Sequence, residues 1–154
     1  MGGSGGGGWK SLGDIRSLEE KAKQALRQGR KNVFISFAFE DVDEVNLLRA
    51  HAKNEKSDIE FNDRSVQEPY DSERADYIRS RLADRINQAS TTVVYVSEST
   101  QASQWVRWEV EKSLELGKRV IAMHAGDHPP TSMPEWLRRS EIRVVPWRQL
   151  KDEL

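Results

Sequence analysis

Cysteine is absent from all 154 residues, which removes disulfides, thiolate nucleophiles and sulfur-based zinc sites. The three histidines, His51, His124 and His128, lack the spacing of an HExxH helix, so no metal site is expected. No apolar run approaches the roughly 20 residues that span a bilayer, and no signal peptide is visible, which points to a cytoplasmic protein. Lys151-Asp152-Glu153-Leu154 spells an ER-retention signal, taken as coincidence because no entry signal accompanies it. Net charge is −1 with acids and bases interspersed, so neither nucleic acid nor an anionic membrane is indicated as a partner. Glycine is scarce where it would matter: six of the ten lie between Gly2 and Gly8. What remains, 36% hydrophobic residues with five tryptophans, is enough for one core in a chain of single-domain length.

Residues 1–13 read as a flexible, glycine-rich leader. Residues 14–29 read as a helix with Ile15, Leu18, Ala22, Ala25 and Leu26 on one face and Gly29 as its stop. Residues 30–154 read as the domain proper. There, Val33-Phe34-Ile35-Ser36-Phe37 is a buried-strand candidate, followed by a helix over 41–53 with Val42, Val45, Leu48 and Ala52 inward. A weaker strand over 58–61 precedes a helix over 72–88, with Ser72 as N-cap and Ala75, Ile78, Leu82 and Ile86 inward. Thr92-Val93-Val94-Tyr95-Val96 is the clearest strand, and then come a helix over 105–116, a strand over 119–123 and a last strand at Val144-Val145.

Alternating β and α elements with continuous apolar strands imply an α/β fold: a parallel sheet covered by helices on both faces. About five strands with right-handed crossovers make a flavodoxin-like, doubly wound sheet of order 2-1-3-4-5 the economical topology. Ligands in such sheets bind beyond the carboxyl ends of the strands at the switch point, which selects residues 37–41, 62–71, 97–104 and the helix after them. A phospho-receiver is excluded, since strand 3 ends in Ser97 with no acceptor Asp and no Lys follows the later strands. A phosphate-cradling loop is excluded too: the turn Phe37-Ala38-Phe39-Glu40-Asp41 has two acids and no glycine.

The most informative stretch runs from Ser103 to Leu114. Ser103 opens a helix on which Trp105 and Glu109, four apart, share a face. With a core stripe through Val106, Val110, Leu114 and Gly117, Glu109 is expected at the edge of the buried face, partly desolvated yet reachable. An aromatic shelf beside a lone acid suits a ring-bearing substrate that develops charge. Spacing alone favours a capped surface helix with a solvated glutamate, and it is the surrounding context that points to a site. Arg107, Trp108 and Glu111 are expected away from that edge.

Together, the strand Val33–Phe37 with its acidic turn, the polar loop after strand 2 and Ser103-x-Trp105-Val106-x-x-Glu109 resemble a TIR domain. The likeness is to the bacterial branch of Thoeris antiphage defence and covers roughly residues 32–127. It implies that Glu109 is the catalytic residue for cleaving the nicotinamide–ribose bond of NAD+. NAD+ would be substrate, with no cofactor required, because the leaving group is already cationic and a carboxylate can stabilise the oxocarbenium-like ribose. The resemblance further implies a substrate-binding surface of Phe37, Ala38, Phe39, Asp63, Ser65, Ser97 and Trp105. The loop over 62–71 corresponds to the family's BB loop, which implies a homo-oligomer through that loop, although it lacks glycine and can equally be an ordinary polar connector. Val106 stands where receptor TIR domains commonly carry Cys, which favours the enzymatic branch. The implied activity is a hydrolase or a cyclase making a cyclic ADP-ribose-type signal, read by a separate effector. A non-catalytic assembly module and an N-glycosidase acting on other nucleotides stay open.

Overall fold

The computed structural model describes residues 18–19, 31–54, 59–62 and 69–154. The chain divides into two units, residues 1–30 and 31–154. Of the first, only Leu18 and Glu19 are described, both helical and exposed, so the expected leader and the rest of the helix over 14–29 lie outside the described residues. Asp63 and Ser65 also lie outside them.

In the second unit the alternation of elements is the one its hydrophobic pattern predicts. Strand β1 is Lys31–Ser36, helix α1 Val42–Asn54, β2 Ile59–Asn62, α2 Ala75–Gln88 and β3 Thr91–Tyr95. Helix α3 is Gln104–Glu115, β4 Arg119–His124, α4 Glu135–Arg138, β5 Arg143–Pro146 and α5 Leu150–Glu153. The five strands form one sheet in the order β2-β1-β3-β4-β5, the expected 2-1-3-4-5. Every neighbouring pair is parallel, with Ser36 opposite Val94 and Tyr95 opposite Met123.

Side chains alternate across a strand, so each face of the sheet draws on alternate residues. Val33, Ile35 and Phe37 of the first strand and its exit join Val93, Tyr95, Ile121 and Met123 under Val45 of α1 and Leu150 of α5. The intervening residues face the other way. Phe34 packs under Ala75, Ile78, Leu82 and Ile86 of α2 and against Trp105. Val94, Val96 and Ala122 pack under Val106 and Val110 of α3 and Leu137 of α4. All five residues of β3 are buried, as a central parallel strand requires. Each buried Val, Ile or Phe contributes about 1.5 to 3 kcal/mol by leaving water.

Two local expectations are revised. Helix α2 begins at Ala75 with Arg74 at its N-cap and no capping side chain, so Ser72 is not the cap. Residues 69–75 instead turn through Ser72 N–H to Pro69 carbonyl and Ala75 N–H to Ser72 carbonyl, both 3.1 Å. The buried stripe of α3 also differs: it is Trp105, Val106, Glu109, Val110 and Ser113, while Leu114 is exposed. The helix has already turned its solvent side by Leu114, and it ends at Gly117 in a left-handed conformation with φ 72°. There the Gly117 N–H meets the Leu114 carbonyl at 3.0 Å and the Lys118 N–H meets that of Ser113 at 2.9 Å. This paired closure satisfies carbonyls the helix end would otherwise leave open, and it favours glycine at that position.

Candidate functional site

Helix α3 starts where Ser103 lets it start. The Ser103 hydroxyl accepts the Val106 N–H at 3.2 Å, satisfying one donor of the first turn and fixing the helix's phase against the sheet. From that phase the four-residue repeat brings Trp105, Glu109 and Ser113 to one line along the helix. Glu109 is therefore not at the edge of the buried face: it is 0% exposed, in the middle of the stripe.

A carboxylate this deep requires hydrogen-bond partners. One comes from β1, whose residues Phe34 and Ser36 point to the α3 side by strand alternation. The Ser36 hydroxyl donates to Glu109 Oε1 at 2.8 Å, and Ser36 is itself fully buried. One helical turn further on, the Ser113 hydroxyl donates to the Glu109 carbonyl at 2.7 Å and meets the Thr92 hydroxyl of β3 at 2.8 Å. Two buried polar contacts thus lock α3 to the two central strands, one on either side of their meeting line.

Trp105, one turn before Glu109, is nearly buried at 8% exposure. Its ring lies edge-on to Tyr70 at 5.1 Å and to Trp108 at 6.3 Å. The Arg79 guanidinium stands 4.3 Å from the Tyr70 ring centre and 5.6 Å from that of Trp105. Arg79 also donates to the Tyr70 carbonyl at 2.8 Å, so α2 holds this aromatic group in place through charge and hydrogen bond together. Trp108, expected to face away, is half-buried against Trp105. Arg107 and Glu111 do face solvent and pair with each other at 2.9 Å.

The other sequence-selected residues gather mainly on the α1 side. Phe37 packs into the cluster beneath α1 and α5, on the opposite face of the sheet from Ser36. Ala38 is fully buried, and its carbonyl accepts the Asp41 N–H at 2.9 Å as the chain tightens into the short turn of helix Phe39–Asp41. Phe39 is half exposed. Ser97, after β3, donates to Asp41 Oδ2, and its own backbone N–H is held by the Thr100 hydroxyl at 2.9 Å. Behind it the buried Tyr95 hydroxyl donates to Glu44 of α1. Burial, followed by the nearby charges of Glu44 and Glu40, raises the Asp41 carboxyl above its ordinary value, against the opposing pull of the Ser97 bond. Burial and the hydrogen bond to Glu44 push the Tyr95 phenol up as well.

The carboxyl edge of β1 and β3 therefore carries two acidic centres on opposite faces: Glu109 with Ser36, and Asp41 with Ser97. Among the described residues no group of three or more His, Asp or Glu side chains is arranged to hold a metal ion. No described helix is long and apolar enough to cross a membrane. The sequence pattern had not singled out Ser36, Tyr70 or Arg79. Ser36 carried a usable signal, being the one polar residue in the run Val33–Phe37. Tyr70 lies in the selected loop over 62–71 without a signal of its own, and Arg79 carried none, since their meeting with Trp105 depends on how α2 crosses α3.

Comparison with known proteins agrees with this architecture. The TIR domain of the Toll-related receptor TRR-2 from Hydra magnipapillata superposes with a TM-score of 0.51 at 17% identity, covering 73% of this chain and 82% of the receptor domain. A 2-deoxyribosyltransferase from Bacillus psychrosaccharolyticus superposes with a TM-score of 0.54 at 12% identity, covering 79% of this chain and 90% of that enzyme. At those identities the likeness is one of fold. In sequence, the chain is 32% identical over 98 residues to a Bacillus cereus (strain MSX-D12) protein named "Putative cyclic ADP-D-ribose synthase ThsB1". That match covers 61% of this chain and 51% of the relative, so the chain spans about half the length of the relative it matches. The family described as "Thoeris protein ThsB, TIR-like domain" matches residues 34–129, a segment that contains the end of β1 with Ser36, the Asp41 turn and all of α3. The chain belongs to the ThsB TIR-like domain family.

Proposed function

We propose that this chain cleaves the nicotinamide–ribose bond of NAD+, by hydrolysis or by cyclisation to a cyclic ADP-ribose-type product, with Glu109 as the catalytic carboxylate. The observation that carries this reading is the Ser36–Glu109 pair, an enclosed carboxylate at the carboxyl edge of the sheet with Trp105 one turn away. Family membership and the synthase name of the 32% identical relative support the same reading. As nicotinamide leaves, positive charge develops on the ribose. A carboxylate in a water-poor setting stabilises that charge far more than it would in bulk water. Because Glu109 has no exposed surface, productive binding requires a shift of the groups packed around it. Trp105 supplies a flat face for a ring, and Phe39, Asp63, Ser65 and Ser97 belong to the proposed substrate surface, which the buried Phe37 and Ala38 support from beneath.

The test is incubation of the purified protein with NAD+ and chromatographic separation of nicotinamide, ADP-ribose and cyclic products. Nicotinamide with ADP-ribose means hydrolase; nicotinamide with a cyclic isomer means cyclase. No nicotinamide at micromolar enzyme over hours would remove the reading.

The proposal extends to assembly: protomers associate through the loop over 62–71, and a separate effector reads the nucleotide product in the cytoplasm during antiphage defence. Specific activity that rises with protein concentration and is lost in Arg64→Glu supports this. Constant activity down to monomer by light scattering would sink it. A non-catalytic module acting by homotypic assembly is the second reading, favoured by the complete burial of Glu109, and the nicotinamide assay separates the two.

A further inference from the structure

We infer that Ser36 is a positioning residue for the Glu109 carboxylate, and that its hydroxyl sets the orientation in which that carboxylate meets substrate. This inference rests on the proposed role of Glu109. Both side chains are fully buried, and the hydroxyl lies 2.8 Å from Oε1. A glutamate has three side-chain torsions, and in a fully packed site a buried donor selects among the carboxylate positions that the packing allows. Ser36 is the last residue of β1 and is still paired within the sheet, which fixes its backbone. Its partner strand there is β3, with Ser36 opposite Val94, while β2 pairs only as far as Phe34, so the sheet holds the donor from the β3 side.

The second contact between α3 and the sheet makes the assignment specific to the carboxylate. The Thr92–Ser113 pair, also buried, fixes the backbone of the helix one turn away and reaches only the Glu109 carbonyl. Helix register thus has its own anchor. What Ser36 adds is the placement of Oε1 itself. A carboxylate displaced by about 1 Å costs on the order of a hundredfold in rate even when substrate still binds.

The experiment compares Ser36→Ala, Ser36→Thr, Thr92→Val and Glu109→Gln, each with intact folding checked by circular dichroism. Steady-state NAD+ cleavage is measured together with carbon-13-edited infrared spectra of labelled glutamate, in which the Glu109 band is assigned by its loss in Glu109→Gln. Ser36→Ala is expected to lower kcat by about tenfold to a hundredfold with KM within about twofold, and to shift the Glu109 carboxylate band. Ser36→Thr, which keeps the hydroxyl, is expected to restore most of kcat and the band position. Thr92→Val is expected to leave both unchanged. Wild-type kcat and an unmoved band in Ser36→Ala, with Glu109→Gln inactive, would overturn the positioning role alone. An equal loss of kcat in Thr92→Val would also overturn it, because the effect would then belong to general helix displacement. If Glu109→Gln turns over at the wild-type rate, the functional reading fails and the role of Ser36 falls with it.

Discussion

The Ser97 hydroxyl donates to Asp41 Oδ2 at 2.5 Å across 56 positions of sequence, tying the loop after β3 to the turn after β1. Those two strands are neighbours in the sheet, so the bond bridges the switch point of the fold. Asp41 is 7% exposed, so the carboxyl depends on that donor for much of its solvation. Ser97→Ala is therefore expected to cost about 1 to 3 kcal/mol, the usual penalty for leaving a buried acceptor without its partner. Urea unfolding measures it, and a loss under about 0.3 kcal/mol would show that water replaces the hydroxyl.

The same carboxyl predicts a pH effect. Asp41 is raised above 3.8 by burial first and then by Glu44 and Glu40. The folded protein thus holds the proton more tightly than the unfolded chain. The group's favourable contribution is complete below 3.8 and is lost as pH rises through the folded value. Asp41→Asn carries no charge and keeps an oxygen for Ser97, so its stability relative to wild type should increase from about pH 4 to about pH 7. Parallel urea titrations at both ends check this. A difference that is flat across the window, or that falls, contradicts the assignment.

Glu109→Gln preserves shape and retains an oxygen for the Ser36 hydroxyl. Because the site is fully buried and the amide brings N–H donors that need partners, a stability loss of up to about 1 to 3 kcal/mol is expected. Nicotinamide release is expected to fall by at least about a hundredfold, the scale seen when one charge-stabilising group leaves an active site. The decisive result is a variant that stays folded yet is inactive. A variant with near-wild-type turnover would reassign Glu109 to a purely structural part.

Trp105 joins α3 to α2 through Tyr70, Trp108 and Arg79. Truncation to alanine opens a cavity beside Phe34 and Ile78 and is expected to cost about 3 to 5 kcal/mol. Trp105→Phe, which keeps an aromatic ring, should cost less than half of that. Equal losses in the two variants would mean that indole-specific contacts, and not ring packing, dominate.

Gly117 ends α3 at φ 72°, with no atom within 4 Å of where a Cβ would stand. Gly117→Ala therefore introduces backbone strain without a clash, expected at about 1 to 2 kcal/mol. Thermal denaturation reads it, and an unchanged midpoint would mean that the helix end re-forms in another conformation.

The chain's own pattern determined the sheet. The β-branched runs around Val33, Thr92 and Ile121, alternating with helical repeats such as Ile78-Leu82-Ile86, leave a covered parallel sheet as the economical fold. It also determined where α3 begins, because Ser103 caps through a contact three residues away. These are local or periodic interactions, and a sequence states them directly. The depth of Glu109 was decided otherwise. Wheel geometry left the helix's rotation uncertain by a few tens of degrees, and packing against Phe34, Val94 and Ala122 turned the face of residues 105, 109 and 113 inward. The pairing of Ser36 with Glu109 across 73 positions, and of Tyr70 with Trp105 and Arg79, exists only because β1, α2 and α3 converge. Such contacts depend on distances between elements that no single segment encodes, so only the tertiary structure could place the acid, its donor and its aromatic neighbour together.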